Sequence, residues 1–254
     1  MSKKKFTILT SSHNQYEYQT DWINSILAQE YRPLQVIFVD DFSSDLDYLN
    51  KQKYLFKERD IQLITYRTHK RYYCGSSYRQ CYDLSTGDYI GILDADDALI
   101  PNAVSFIMDC YNKSPELGFI YTQFNICDLN LKLKKQGFCK APIEGLSLLQ
   151  CEKSAKMRHC FSHWRTFKKT NLTRSVFSRG LKASVDKFMG YRLEELFPGA
   201  FVNKSCYRYR SGVKNSVTRS HSSIKIWDNV RKEAFQRRKK HKIKPYPVIE
   251  IDLP

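Results

Sequence analysis

Three aspartates stand within four positions of the segment YIGILDADDAL, directly after a run of apolar, strand-forming residues. They are Asp94, Asp96 and Asp97. Carboxylate oxygens are preferred ligands of Mg²⁺ and Mn²⁺, and such ions often take only one or two carboxylates from a protein. A charge cluster at the end of a strand is therefore either a solvated turn or a cation site. The choice depends on which other polar residues the fold brings to the same place.

The first hundred residues alternate between strand and helix patterns. Apolar runs bounded by polar residues predict strands in KFTILTSS, PLQVIFVDD, IQLITYR and DYIGILDADD. Helical spacing predicts helices in YEYQTDWINSILAQE, LDYLNKQKYLFKERD and SSYRQCYDLSTG, the last of which ends at a glycine. This alternation predicts an α/β fold with a mostly parallel central sheet flanked by helices.

Polar side chains follow each of the four predicted strands. Besides the three aspartates, they are Ser11, Ser12, His13, Asp40, Asp41, Arg67 and His69. In a parallel sheet the ligand lies beyond the carboxyl ends of the strands, so we expect all of these residues on one rim. This convergence favours a binding site over a solvated turn.

The pattern loosens after a helix that starts near Pro101 and the strand that follows it. LNLKLKKQGFCK predicts a hairpin or an edge strand, and residues 144–200 mix short helices with loops. We interpret this half as the part that meets a second substrate.

The composition narrows the class of protein. The chain has 254 residues, enough for one sizeable core, and its eight cysteines contain no C-x-x-C pair, so we expect reduced thiols and no zinc site. The N-terminal segment MSKKKFTILTSSHN is too poor in apolar residues for a signal peptide, and no window approaches the roughly 20 apolar residues of a membrane span. We therefore expect a cytoplasmic protein.

The formal net charge of +16 predicts an anionic partner, which could be nucleic acid, a lipid surface or a phosphorylated small molecule. Much of the charge lies in RKEAFQRRKKHKIKPY near the C-terminus. Ile226, Trp227, Val230 and Phe235 approximate a helical stripe among these basic residues. The segment could lie on an anionic membrane, or it could pack on the domain and expose a solvated basic face.

Four fragments occur in an order and spacing that resemble the family 2 glycosyltransferases of the GT-A fold. They are FTILTSSHNQ, VIFVDDFSSD, GSSYRQCYDLSTGDYIGILDADD and FSHWRTFKK. The resemblance covers roughly residues 6–215. It implies a GT-A (nucleotide-diphospho-sugar transferase) domain over 1–215, with a nucleotide-binding half (1–100) and a smaller acceptor half (101–215). Residues 216–254 would form a basic C-terminal helix or tail.

The resemblance implies a metal-dependent, inverting transfer of a sugar from a nucleotide diphosphate to a hydroxyl of a glycan, lipid or protein. Asp96 is our first choice as ligand of Mn²⁺ or Mg²⁺, with Asp94 on the metal or ribose side. Asp97 could instead cap the helix that follows. Asp41 matches the position that accepts a hydrogen bond from the uracil N3 amide, which favours UDP. Asp41 could also simply satisfy backbone amides after its strand.

The remaining donor contacts follow from the same resemblance. Ser11 and His13 match the loop against which the base packs, and Arg79 matches a basic residue that reaches the diphosphate or braces the acid cluster. His163 could contact a phosphate or the acceptor, and Trp164 could present its ring to a sugar. Phe42 stands where these enzymes usually carry glycine. Because a bulky side chain disfavours positive φ, we expect a differently shaped loop there.

The proton of the acceptor hydroxyl must pass to a base in the acceptor half. The segment SVDKFMGYRLEEL resembles the family segment in which an aspartate begins a helix near the acceptor. We therefore favour Asp186, with Glu194 or Glu195 as alternatives. Asp186 could also be only a helix cap, and the two glutamates an exposed face.

Three other functions compete with this interpretation. A nucleic-acid-binding module would interleave basic and aromatic residues on one surface, which the tail does not do. A nucleotidyltransferase would normally carry a glycine-rich loop after the first strand, and TSSHNQ contains no glycine. A catalytically inactive relative that only binds is harder to exclude, since Phe42 departs from the family pattern.

Overall fold

The computed structural model describes residues 3–44, 47–152, 160–213 and 221–251. Within these residues, ten strands form one mixed sheet. The strands are β1 (Phe6–Ser12), β2 (Leu34–Asp40), β3 (Ile61–Arg67), β4 (Tyr89–Ile92), β5 (Ala98–Leu99), β6 (Phe119–Cys127), β7 (Leu133–Gln136), β8 (Arg165–Lys168), β9 (Gly199–Arg210) and β10 (Val248–Glu250).

Their order is β10-β9-β6-β8-β4-β1-β2-β3, with β5 paired to β9 and β7 paired to β6. The helices are α1 (Gln19–Leu27), α2 (Asp47–Lys51), α3 (Lys53–Glu58), α4 (Tyr73–Leu84), α5 (Ala103–Lys113), α6 (Leu148–Cys151), α7 (Val185–Leu196) and α8 (His221–His241). Two 3₁₀ helices cover Tyr16–Tyr18 and Thr173–Val176.

The first half of the sheet is parallel and covered on both faces, as predicted. Every residue of β2 is buried, which is why its apolar run shows no alternation. β1 lies between β2 and β4, and Ser12 is in register with Asp40, which in turn is in register with Arg67. The polar ends of these strands therefore share one rim.

The second half interrupts the parallel order. β8 runs antiparallel between β4 and β6, so that Arg165 lies opposite Ile92 on one side and Tyr121 on the other. β9 then returns parallel to β6 along most of its length. Arg165 is thereby carried to the same rim as the residues that follow β4.

The basic C-terminal segment continues the same structure. β10 pairs parallel with β9 at the edge of the sheet, and α8 packs against α7. None of the eight cysteines forms a disulfide, and seven are buried. None of the described helices combines the length and hydropathy that a membrane span needs.

Candidate functional site

The acid turn follows β4 directly, and Asp94 is its first carboxylate. The Tyr78 hydroxyl donates a 2.5 Å hydrogen bond to Asp94 Oδ1, and Arg165 Nη2 donates a 2.8 Å bond to Asp94 Oδ2. Burial is the largest single effect and opposes the charge, but Arg165, His163 and the Tyr78 hydroxyl together outweigh it, so that the pKa of Asp94 lies below its ordinary value. Asp94 is therefore an ionised carboxylate with a fixed orientation.

His163 lies beside this pair. Its Nδ1 is 3.8 Å from Asp94 Oδ2 and 3.2 Å from Arg165 Nη2, which donates to it. The ring stacks on Tyr207 at 4.6 Å and on Tyr209 at 5.3 Å. Burial lowers the pKa of His163 to about 4, and the charge of Arg165 adds to that effect. The imidazole is neutral near pH 7, with its proton on Nε2 because Nδ1 accepts from Arg165.

The carboxylate of Asp97 is held in place by neighbouring protein groups. Its side chain is buried and accepts hydrogen bonds from the Tyr207 hydroxyl at 2.8 Å and from the backbone N–H of Arg210 at 2.7 Å. Burial, together with the charges of Asp96 and Asp94, raises the pKa of Asp97 well above its ordinary value. Asp97 thus joins the acid turn to β9. The helix that it was expected to cap begins later, with Asn102 at the N-cap position.

Asp96 differs from both neighbours because its carboxylate accepts no hydrogen bond from another residue that the structure describes. Burial raises the pKa of Asp96 to about 6, and the negative charge of Asp94 adds to this effect. A divalent cation would relieve the repulsion between these two carboxylates. The chemistry of Asp96 therefore fits a metal ligand.

Arg210 fixes the backbone of this turn. Its Nε donates to the carbonyl of Asp96 at 2.7 Å, and its Nη2 donates to Asp21 Oδ2 at 2.8 Å. The guanidinium also lies 4.7 Å from the centre of the Tyr18 ring. The end of β9 and the start of α1 thereby hold Asp96 in place.

Two sets of side chains could hold a metal ion at the acid turn. Ligand atoms of Asp94, Asp97 and His163 lie within 4.8 Å of one another. In that set, Asp97 accepts two protein hydrogen bonds and the Nδ1 of His163 accepts one from Arg165. Asp96 is not among these three residues, yet it has the least committed carboxylate of the turn. The second set is therefore Asp94 with Asp96. Both sets contain carboxylate oxygens, which are the ligands that Mg²⁺ and Mn²⁺ prefer.

The rim after β1 and β2 holds the residues expected to meet the base. His13 Nδ1 lies 2.8 Å from the Asp41 carbonyl oxygen, and Ser11 is half-buried at the end of β1. Asp41 is buried and accepts hydrogen bonds from the backbone N–H groups of Tyr72 and Tyr73, both at 2.7 Å. It thus caps the start of α4. The Thr68 hydroxyl donates a third bond, of 3.3 Å, to Asp41 Oδ1. A carboxylate has about four acceptor sites, so one remains for a ligand.

The prediction that Phe42 would avoid a positive φ is wrong. Phe42 has φ 63, the left-handed conformation that glycine adopts most easily. Its side chain is half exposed and lies under the guanidinium of Arg67, while Asp40 accepts from the backbone N–H of Ser43. The turn is held from both sides, and the exposed ring meets no core atoms. The loop therefore tolerates a conformation that costs about 1–2 kcal/mol.

Asp186 stands in the first turn of α7 and is half-buried. Its carboxylate has no hydrogen-bond donor among the described residues. Its charge acts on the pKa of His163 and on that of Cys74, two groups that also respond to Asp94. Asp186 therefore lies within electrostatic range of the groups around Asp94 and His163.

Glu194 and Glu195 lie further along α7 and are buried among cations. Glu194 accepts from the backbone N–H of Leu148 at 2.7 Å and from Arg238 at 2.6 Å. Glu195 accepts from Arg237 and Arg238 at 2.8–2.9 Å. Burial raises the pKa of Glu194 despite Arg238, whereas for Glu195 the two arginines outweigh burial and lower the pKa. These contacts join α7 to α6 and α8 rather than to Asp94 and His163.

Two further residues lie elsewhere than the sequence suggested. Arg79 Nη1 donates a long 3.4 Å bond to the carbonyl of Phe177, and its charged neighbours are Arg174, Arg179 and Asp83. The structure does not bring it into hydrogen-bonding contact with the acid turn. Trp164 is fully buried, so its ring cannot present a face to a sugar. His159, for which the sequence favours a core or surface role over a ligand role, lies outside the described residues.

The sequence alone did not indicate three residues of the site, which are Tyr78, Arg165 and Tyr207. Strand periodicity gave no signal for Arg165, because β8 begins at Arg165 and His163 lies in the bend before it. Tyr78 directly precedes Arg79 in α4, so the neighbouring position faces Asp94. Tyr207 lies in KSCYRYR, a segment in which cations and tyrosines alternate without a pattern that singles out one tyrosine.

Comparisons with known proteins agree with this geometry. The sequence profile described as "Glycosyl transferase family 2" matches residues 7–174, more than half of the chain. Chondroitin synthase of Escherichia coli is 30% identical over 214 residues, which are 83% of this chain and 30% of that protein. Glucosyl-dolichyl phosphate glucuronosyltransferase of Haloferax volcanii is 28% identical over 117 residues, 45% of this chain and 36% of that protein. The chain spans less than half the length of these relatives.

Solved structures share the fold at low sequence identity. S. aureus TarS (residues 1–349) in complex with UDP-GlcNAc superposes with a TM-score of 0.69 at 14% identity, covering 89% of this chain and 64% of that one. The mannosyltransferase PcManGT from Pyrobaculum calidifontis, in complex with GDP-Man and Mn²⁺, gives a TM-score of 0.60 at 13% identity, covering 97% and 66%. At such identities the likeness establishes the fold alone.

Proposed function

The chain belongs to glycosyl transferase family 2, and we propose that it transfers a sugar from a UDP-sugar to an acceptor hydroxyl, with inversion at the anomeric carbon. The acceptor would be a hydroxyl of a glycan, a lipid or a protein. One observation carries the proposal. Asp96 and Asp186 have carboxylates that accept no hydrogen bond from another described residue, and both lie within electrostatic range of the groups around Asp94 and His163.

Asp186 is the general base in this proposal. It lies in the acceptor half of the chain, and its carboxylate is not committed to a hydrogen bond with any described residue. From that position it would take the proton of the acceptor hydroxyl as the oxygen attacks the anomeric carbon from the side opposite the diphosphate. An inverting transfer of this kind needs no covalent intermediate.

Asp94 and Asp96 would hold Mn²⁺ or Mg²⁺, which when bound supplies Lewis-acid stabilisation of the departing diphosphate. Arg165 keeps Asp94 ionised and oriented. His163 carries its proton on Nε2 and can donate it to a phosphate or sugar oxygen. The carboxylates of Asp94 and Asp96 would thus bind the cation, and the neutral imidazole of His163 would donate a hydrogen bond beside it.

The choice of UDP rests on Asp41 and its neighbours. A carboxylate suits the N3–H of uracil as acceptor, and His13 and Ser11 lie at the same rim where a base can pack. Among the related structures, TarS was solved with UDP-GlcNAc and PcManGT with GDP-Man and Mn²⁺. The names of the relatives, a chondroitin synthase and a glucuronosyltransferase acting on glucosyl-dolichyl phosphate, support a glycan or lipid-linked acceptor.

A panel of nucleotide-sugars tests the proposal. We expect a rise in melting temperature with a UDP-sugar and Mn²⁺ together, followed by release of UDP as water replaces the acceptor. Asp186→Asn should keep the thermal shift and lower turnover about 10²–10⁴-fold, because donor binding survives and proton abstraction does not.

Asp109→Asn is the matched control, since Asp109 is an exposed carboxylate on α5. It should leave both the thermal shift and the turnover unchanged. A thermal shift without turnover for any donor, in the parent chain and both variants, would instead favour an inactive relative that only binds. No shift with any nucleotide-sugar would overturn the proposal.

A further inference from the structure

Helix α8 has one face attached to the domain. Val230 and Ala234 are buried, and Arg237 and Arg238 are paired with the glutamates of α7. The sequence places Val230 in an apolar stripe that could meet a membrane or pack on the domain, and in the structure Val230 is buried. The alternative of a packed helix therefore holds for this face.

The opposite face exposes apolar side chains. Ile224 is 57% exposed and Phe235 is 51% exposed. They are eleven residues apart, close to three helical turns, so they point in the same direction about 16 Å apart along the axis. Apolar side chains aligned on one face of a basic helix form the amphipathic pattern of helices that lie in a membrane interface.

Cations flank these two residues. Lys225, Lys232 and Lys239 are exposed and lie on the same side of the helix as Phe235 by helical periodicity. None of the three has a carboxylate within ion-pair distance among the residues that the structure describes. Their charge is therefore available to an external partner, unlike that of Arg237 and Arg238.

We propose that this face of α8 docks on an anionic lipid bilayer. Ile224 and Phe235 would enter the boundary between headgroups and acyl chains, while the three lysines contact acidic headgroups, as in helices that lie in the membrane interface. The surface combines basic residues with apolar side chains that can enter a bilayer. A nucleic acid would instead be bound by basic residues together with groups that stack on bases or contact their edges. The helix cannot be a span, so the contact is peripheral.

Sedimentation with vesicles tests the docking surface in the full chain. We expect binding to vesicles of phosphatidylcholine with phosphatidylglycerol and little binding to phosphatidylcholine alone. A variant with Lys225→Gln, Lys232→Gln and Lys239→Gln should partition about a hundredfold more weakly, given the usual contribution of each basic residue near an anionic surface. Ile224→Ala with Phe235→Ala should weaken partitioning at high salt as well, since that contact is not electrostatic.

Lys132→Gln, Lys134→Gln and Lys135→Gln together provide the control, because these exposed lysines around β7 remove the same charge elsewhere. Equal loss in the control and helix variants would show attraction by net charge alone and overturn the proposal. Failure of the parent chain to bind acidic vesicles would do the same. Preferential binding to a DNA duplex, with acidic vesicles unable to compete, would assign the face to nucleic acid instead. None of these readings depends on glycosyl transfer.

Discussion

The three aspartates of one turn have different roles because their carboxylates accept from different partners. Asp94 is fixed by Tyr78 and Arg165, and Asp97 is fixed by Tyr207 and by the backbone of Arg210. Asp96 has neither kind of partner, and the nearby charge of Asp94 raises its pKa further than burial alone. A cation would be the missing partner of Asp96.

Substitution separates these roles. We expect Asp96→Ala to abolish tight Mn²⁺ binding, measured by electron paramagnetic resonance titration of the protein with UDP, while thermal stability is kept or slightly raised by the loss of repulsion. Asp97→Ala should lower the free energy of unfolding by about 1–3 kcal/mol, because it leaves the Arg210 N–H without an acceptor and the Tyr207 hydroxyl with only its 3.4 Å bond to Asp94 Oδ2. It should keep Mn²⁺ binding at temperatures where the protein is folded.

The opposite pattern would favour the other donor set. If Asp97→Ala loses the manganese signal in a folded protein and Asp96→Ala retains it, the ion belongs to Asp94, Asp97 and His163. Retention by both variants would remove the acid turn as the metal site.

At the residue scale, the sequence predicted which side chains reach the rim but not how they pair there. The positions of Asp41, Asp94 and Asp96 follow from strand ends, which periodicity locates well. Their partners come from distant parts of the chain, and Arg165 in particular reaches Asp94 across 71 positions of sequence. At Phe42 the sequence predicted the wrong backbone conformation. Its residue type argues against positive φ, and the surrounding turn outweighs that preference.

At the scale of elements, α4 positions the segment that delivers Asp186. The backbone N–H of Gly75 donates to the carbonyl of Leu181 at 3.0 Å, and a Cβ added at Gly75 would lie 2.3 Å from the carbonyl oxygen of Ser178. The approach is possible only because residue 75 lacks a side chain. The loop of residues 178–182 leads into α7, so its position sets where Asp186 stands.

Gly75→Ala should therefore impair function through this loop. We expect turnover of a UDP-sugar to fall about tenfold to a hundredfold, because a displacement of about 1 Å at a reacting group can have that effect. The free energy of unfolding should fall by about 1–3 kcal/mol from overpacking. Turnover and urea unfolding of the same preparation measure both.

Ser76→Ala is the neighbouring control, since it removes only a hydrogen bond from the N–H of Gly180 at the surface. It should lower stability by less than about 1 kcal/mol and leave turnover unchanged. Equal turnover in Gly75→Ala and the parent chain, despite lower stability, would mean that the loop does not determine the position of Asp186.

Element prediction succeeded where contacts are local and failed where they are not. The alternating strands and helices of the first half have regular lengths and pair with sequence neighbours, so periodicity predicts them. β8 enters between β4 and β6 from far along the chain, and no pattern in RTFK specifies an antiparallel direction. LDYLNKQKYLFKERD, predicted as one helix, forms α2 and α3 because Gln52 interrupts it.

At the scale of the whole molecule, the basic C-terminal segment is integrated into the fold. β10 extends the sheet beside β9, and Arg238 lies among Glu194, Glu195 and the carbonyl of Tyr191. The sequence predicted the charge of this segment but not its partners. The glutamates that could have served as bases are the residues that hold it. Their ion pairs with α8 are the reason that the proposal assigns the base to Asp186.

This integration predicts that the domain and its C-terminal helix unfold together. Arg238→Ala should lower the free energy of unfolding in urea by about 3–5 kcal/mol, because it leaves the buried charge of Glu194 without its partner. Arg231→Ala should change it by less than about 1 kcal/mol, since the ion pair of Arg231 is with the partly exposed Asp228. Adding Glu194→Gln to Arg238→Met should recover much of the loss, as no unpaired charge remains at position 194 and Gln can still accept from Leu148. Two separate transitions, with the Arg238 variant affecting only the weaker one, would instead make the segment an independent appendage.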